Sequence, residues 1–320
     1  MMEDIKLKKS YLKVDQPSYI SSLICLLVGS IQIVLTRIWA VDTSAHFTLL
    51  TIAFVLISFA IYSITTSIKN SPSVLFNDDI LLVGSKAYYW ADFKKVSFTG
   101  KKPCKCIFRY SMEGMMLQFA NEKPVYLLDY VYSDLWKLKL FVQQIIIEQK
   151  KKMEIPQLKS SQDSSTYNTR IFYKGNCFFS SYSILYWGTV VILITLGLEF
   201  GHIYYLSDCT LAGTILLVCI TAILMLLFWA ISCTMHFFEL SDNYITAKNH
   251  ILFWEKETYF LQDIREIGFD KGFINNRRFC LKLITKDFKY AIYPAGTLSQ
   301  KQWKKLEEDF KRHGIKVRYE

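Results

Sequence analysis

Four stretches of this chain contain no Asp, Glu, Lys or Arg: Gln16–Thr36, Thr43–Ile68, Gly175–Leu198 and Cys209–Phe238, of 21, 26, 24 and 30 residues. No other feature constrains the fold as strongly. A helix needs about 20 mainly apolar residues to cross a bilayer core. It also satisfies its own backbone hydrogen bonds there. The runs therefore predict four transmembrane helices, near residues 20–40, 47–67, 183–205 and 212–235, paired as two hairpins.

Composition points the same way. The 320 residues are 52% hydrophobic and 21% charged, with a mean hydropathy of +0.19. Disorder requires low apolar content, so it is excluded for the whole chain. Thirteen Gly and six Pro exclude a collagen-like repeat. Eight irregularly spaced Cys exclude a disulfide scaffold, and no disulfide is predicted. Tyr19, Trp39, Tyr182, Tyr186, Trp187, Tyr204 and Tyr205 lie near the expected span ends, where amphipathic rings favour the headgroup region. The first run follows Lys6, Lys8, Lys9 and Lys13 but exceeds a signal-peptide core, so it is expected to be retained.

The short connections Ala40–His46 and Leu206–Leu211 lack Lys and Arg. Basic residues concentrate in the N-terminal tail and in the two long polar segments. With positive charge kept inside, both termini and both polar segments are predicted to be cytoplasmic. The expected location is the inner (cytoplasmic) membrane, multi-pass. The +10 net charge then needs no nucleic-acid partner.

The chain is written twice. Trp90-Ala91-Asp92-Phe93 lies over Leu261-Gln262-Asp263-Ile264, and Phe98 over Phe269. Phe76-Asn77-Asp78 matches Leu240-Ser241-Asp242, Tyr126 falls over Tyr290, and Trp136 over Trp303. Matches in one order indicate a tandem repeat, with an insertion around Asn249–Glu257 in the second copy. Within the polar segments, Leu281, Leu283, Tyr290 and Ile292 alternate with polar positions, as half-buried strands do. Asp287 and Asn121-Glu122 fit hairpin tips. A helix follows in each copy. Ser299 is placed to cap Gln300–His313, whose Trp303, Leu306 and Phe310 share a face, and Gly314 to stop it. Ser133 is placed to cap a helix running to about Gln149, with Trp136, Leu140, Phe141 and Ile145 apolar. The predicted fold class is an α+β membrane protein. It has four transmembrane helices and two cytoplasmic modules, each a small β-barrel or curved sheet plus a C-terminal helix.

Two spans followed by an aromatic-x-Asp strand turn, further strands and a Trp-bearing helix resemble bacterial membrane-anchored pleckstrin-homology-like (PH-like) domains. Trp90-Ala91-Asp92-Phe93 and Leu261-Gln262-Asp263-Ile264 carry the resemblance. It implies a fold and a location rather than an activity. The expected organisation is a tail and first hairpin over 1–70, a PH-like domain over 71–150, a linker over 151–170, a second hairpin over 171–238 and a second PH-like domain over 239–320.

Cys104-x-Cys106 is the only close Cys pair and has no His nearby, so no metal site is assigned. His46, His202, His236, His250 and His313 show no metal-binding spacing. No Gly-rich phosphate loop and no Gly-x-Ser-x-Gly is present. The chain is accordingly read as non-enzymatic and without a cofactor. Two groups are candidate sites. Lys101, Lys102, Lys105 and Arg109 in the first copy, with Lys271, Arg277 and Arg278 in the second, form basic loops suited to anionic lipid headgroups. Arg37 and Glu199, each near the outer end of a span, are placed to pair and clamp the hairpins.

The expected partners are the lipid bilayer, anionic lipid and a protein partner. The leading reading is an integral membrane protein whose PH-like domains bind a protein or anionic headgroups. An immunity protein neutralising a bilayer-acting toxin and a transporter component are the alternatives.

Overall fold

The computed structural model describes residues 5–7, 43–69, 71–103, 111–129, 131–156, 171–175, 231–271 and 278–319. Scattered helical positions at 29–33, 184–198 and 225–229 are also described. The chain divides into two units, Met1–Ile155 and Pro156–Glu320.

In the first unit, β1 (Ile5–Lys6), β2 (Val74–Phe76), β3 (Ile80–Val83) and β4 (Lys86–Tyr89) form one antiparallel sheet in that order. Strand β1 precedes the first two charge-free runs, yet it pairs with β2 beyond them, Ile5 opposite Phe76. A second sheet holds β5 (Phe93–Ser97), β6 (Lys101–Pro103), β7 (Ser111–Phe119) and β8 (Val125–Leu128), all antiparallel to β7. Helix α1 (Thr43–Lys69) lies between β1 and β2 in sequence. Helix α2 (Leu135–Phe141) runs on into a π-helical turn, Val142–Ile147.

The second unit repeats this order. Its first sheet is β12 (Lys256–Phe260), β11 (Tyr244–Asn249), β10 (His236–Leu240) and β9 (Ile171–Tyr173), in that order. Its second is β15 (Tyr290–Pro294), β14 (Arg278–Thr285), β13 (Ile264–Lys271) and β16 (Lys316–Tyr319), with β16 parallel to β13. Helix α3 (Gln300–Arg312) precedes β16.

The repeated aromatic-x-Asp motif is a corner between sheets. Trp90–Asp92 and Leu261–Asp263 each form one 3-10 turn, after β4 and β12. Its first N–H donates back to the preceding hairpin: Trp90 to Asp79 O at 3.0 Å, Leu261 to Asn243 O at 2.8 Å. The carbonyl of its Asp accepts from the next hairpin tip: Ala120 N on Asp92 O, and Lys286 N on Asp263 O, both at 2.8 Å. The turn therefore fixes the angle between the two sheets. Trp90 also donates Nε1 to Asn77 O at 2.9 Å and packs its ring 5.7 Å from Phe119 and 5.6 Å from Phe141. In the second unit the large ring comes from the helix instead. Trp303 is fully buried, 5.9 Å from Phe238 and 5.7 Å from Phe269.

The two helices end the cores differently. Ser299 caps α3 as the sequence suggests: Ser299 Oγ accepts from Gln302 N, and Gln302 Oε1 accepts from Ser299 N at 2.9 Å. Such reciprocal bonding satisfies two orphan donors. Ser133 does not cap α2. Its hydroxyl goes to Asp134 Oδ1 at 3.3 Å, and the helix starts at Leu135 with no side-chain cap. Leu135, Leu138, Phe141 and Val142 fill the core, and Trp136 stays at its rim.

Two strand expectations are also revised. Strand β15 buries Tyr293 and packs Ala291 against the core, opposite Leu281 and Leu283, so Tyr290 and Ile292 face away from it. Lys282, one of the polar positions of that alternation, is 4% exposed and pairs with Asp270 at 3.0 Å.

The expectation of an α+β membrane protein with four transmembrane helices is corrected. Among the described residues the structure is mostly sheet, in four sheets, and no helix is long and apolar enough to cross a membrane. The multi-pass inner-membrane location, with cytoplasmic termini, falls with it. The reading rested on missing charge, and missing charge does not separate a lipid-crossing helix from other buried or mixed segments. The last charge-free run ends inside β10, where Phe238 is a core residue. The third begins at Gly175, where β9 closes against the Thr297 backbone. The expected span at 47–67 lies within α1, where Thr65 Oγ1 donates to Ile61 O at 2.6 Å. Ala53 and Ala60 of α1 are fully buried, and Gly29 packs against Ala53 O and Ile57. Phe54, Val55, Ile61 and Tyr62 are exposed. Most residues of the expected spans at 20–40, 183–205 and 212–235 lie outside the described residues.

Candidate functional site

The basic residues singled out from the sequence are placed unevenly. Lys101 lies exposed on β6. Lys102 is buried, and its ammonium donates to Ser97 Oγ at 2.8 Å and Thr99 O at 3.1 Å. That charge holds the β5–β6 connection rather than standing open to a ligand. Glu113, also buried, accepts from Gly100 N in the same connection, where Gly100 has φ +104°. Lys271 and Arg278 lie opposite each other where β13 and β14 meet their connecting segment. Lys105, Arg109 and Arg277 lie outside the described residues, as do Arg37 and Glu199.

A second constellation, not foreseen, sits on the second unit. Strand β12 places Glu257 and Tyr259 two residues apart, hence on one face of the strand. Tyr293 reaches them from β15. Tyr259 and Tyr293 hydroxyls are 2.7 Å apart, and each donates to Glu257 Oε2 at 2.5 Å. Burial pushes both phenols well above their ordinary range, and the Glu257 carboxylate adds to the effect. Both remain protonated donors at neutral pH. Beside them, His236 donates Nδ1–H to Pro294 O at 2.9 Å and turns Nε2 towards Glu255 Oε2 at 3.6 Å. His250 stacks on Phe237 with ring centroids 4.6 Å apart. Burial lowers its pKa to about 4, helped by the neighbouring charges of Lys174 and His236.

The turn between β11 and β12 completes the group. Asn249 Oδ1 accepts from Ile251 N at 2.9 Å and Leu252 N at 3.1 Å, and its Nδ2 donates to Ser232 O at 2.9 Å. Leu252 is buried, and Glu255 N returns to Leu252 O at 2.8 Å. The turn is thereby pinned from both sides. At its tip stand Phe253, 82% exposed, and Trp254, 67% exposed, with ring centroids 5.0 Å apart. This is the insertion that separates the second copy from the first in sequence. The alternation Glu257-x-Tyr259 was a readable signal for the carboxylate–phenol group; the contribution of Tyr293 was not, because it depends on the phase of β15.

The phenols and the imidazole Nδ1–H are committed to internal acceptors, and the exposed element is aromatic. Among the described residues, no group of three or more His, Cys, Asp or Glu side chains is placed to hold a metal ion. No protein-family model matches the chain, and no curated protein is significantly similar to it.

Proposed function

We propose that this chain is a non-enzymatic binding protein built from two PH-like modules, and that its ligand is another protein. Support for PH-like modules is that each unit sets two sheets at a 3-10 corner and packs a late helix into the core. The observation that carries protein binding is the pinned turn that holds Phe253 and Trp254 in solvent. Exposed, rigidly presented Trp and Phe bury large area at little entropic cost when a partner arrives, and Trp is enriched among residues that dominate interfaces. A toxin would be one partner of this class. The internal bonding of Lys102 counts against the headgroup reading, because that ammonium is already satisfied.

A photoreactive phenylalanine analogue in place of Trp254, in the full chain inside its own cells, tests the reading. A single recurrent protein adduct, lost when the analogue is moved to Lys304 on the exposed face of α3, is expected. Adducts with phospholipid alone would replace the protein partner by a headgroup ligand. No adduct at all would end both readings.

A further inference from the structure

The two units differ at one sheet edge, and the difference specifies a ligand. Strands β5 and β13 are equivalent: each follows the 3-10 corner, and each is bulged at its start, between Phe93 and Lys95 and between Ile264 and Glu266. Aligning the bulges sets Lys95 in the place of Glu266, Val96 in that of Ile267 and Ser97 in that of Gly268. Strand β13 has β14 on one side and β16 on the other, with Glu266 opposite Lys316, Ile267 opposite Val317 and Gly268 opposite Arg318. Glu266 receives Arg318 Nη1 at 2.7 Å and Lys316 Nζ at 3.4 Å, and is only 3% exposed. Strand β5 pairs with β7, and among the described residues no strand lies along its other edge. Lys94 and Lys95 on it are exposed.

The geometry points to the outer edge of β5 as a docking site for an extended, acidic segment of a partner protein, added as a parallel strand where the second unit uses β16. The inference rests on the protein-binding reading above. An unpaired strand edge presents backbone donors and acceptors at strand spacing, and an added strand satisfies them. Charge decides which strand. In the second unit an acidic sheet residue is met by basic residues on the added strand. The sheet residue in the first unit is Lys95, so the complement there carries Asp or Glu at the positions of Lys316 and Arg318. The second unit's own strand, Lys-Val-Arg-Tyr over 316–319, is excluded by the same sign rule.

Two fluorescent peptides of about ten residues, longer than a typical strand, test this against the full chain by anisotropy. One centres on Glu-Val-Glu-Tyr and the other on Lys-Val-Arg-Tyr. Wild type should bind the acidic peptide and not the basic one. Lys95→Glu, an exposed change that recreates the Glu266 arrangement, should weaken the acidic peptide about tenfold and give the basic one measurable affinity. Absence of acidic-peptide binding, or equal affinity in wild type and Lys95→Glu, would overturn the site. Either result leaves adduct formation from position 254 as an independent check of protein binding, so the two failures are told apart.

Discussion

Lys139 and Asp129 form a two-pronged ion pair inside the first unit. The ammonium of Lys139, fully buried on α2, donates to both carboxylate oxygens of Asp129 at 2.6 and 2.7 Å, just beyond the end of β8. The pair ties the helix to the second sheet. Its charges are out of water and compensate one another, so removing one partner strands the other. Lys139→Met should cost about 3–5 kcal/mol, whereas Lys139→Met with Asp129→Leu should recover most of that loss. Denaturant unfolding followed by hydrogen exchange over residues 125–145 measures both. Equal instability in the single and double variants would show that packing, not charge compensation, governs the contact.

Asn249 organises the aromatic tip. Asn249→Ala removes two acceptor bonds to the turn and one donor bond to Ser232 O, from a side chain that is nearly inaccessible. The expected cost is about 1–3 kcal/mol, concentrated locally. Faster amide exchange at residues 251–256, with little change over β13–β15, is the signature. Uniform acceleration across the second unit would mean that the turn is not a separate element.

His250 predicts an acid limit for the second unit. Its folded pKa is lowered to about 4 from an ordinary value of 6.5, because burial disfavours the charged ring. A depressed pKa means that the unfolded chain takes up the proton first. The contribution of His250 is therefore complete above pH 6.5 and is lost progressively as pH falls through the window down to about 4. His250→Phe keeps a ring against Phe237 and removes the titration. Melting temperature should fall more steeply in wild type than in His250→Phe over that window. Parallel curves would place the acid sensitivity elsewhere.

The helix caps separate the two copies. Ser299→Ala breaks a reciprocal cap and should cost about 1 kcal/mol. Ser133→Ala removes no side-chain cap from α2 and should stay within about 0.5 kcal/mol. Chemical denaturation of each variant distinguishes them, and a larger effect at Ser133 would contradict the observed start of α2.

What could be read from the sequence follows from range. Ser299 and the Trp303, Leu306 and Phe310 face are local patterns spanning a few turns, and they fold as they read. The phase of β15 was misread because Tyr290 and Ile292 look like core residues. Only their pairing with β14, which sets Tyr293 and Ala291 inward, decides the matter. Strands β1 and β9 are two and three residues long and pair with strands more than 60 residues away, so no local window contains the pairing. The ranges 71–150 and 239–320 accordingly leave out strands that complete the first sheets. Lys102 reads as a headgroup ligand and Lys282 as the polar side of a half-buried strand, but their burial depends on Ser97 and Thr99 and on Asp270. The four-span expectation went furthest astray, since it inferred an environment from what the runs lack.

Protein binding is proposed for the aromatic tip of the second unit. Its most direct measurement is the affinity of the partner crosslinked from position 254, by titration calorimetry, for wild type and for Phe253→Ala with Trp254→Ala. Both side chains are largely in solvent, so the double variant should retain its fold. A loss of about thirtyfold or more is expected, the scale of a dominant interface residue. Unchanged affinity in a variant of unchanged stability would contradict it.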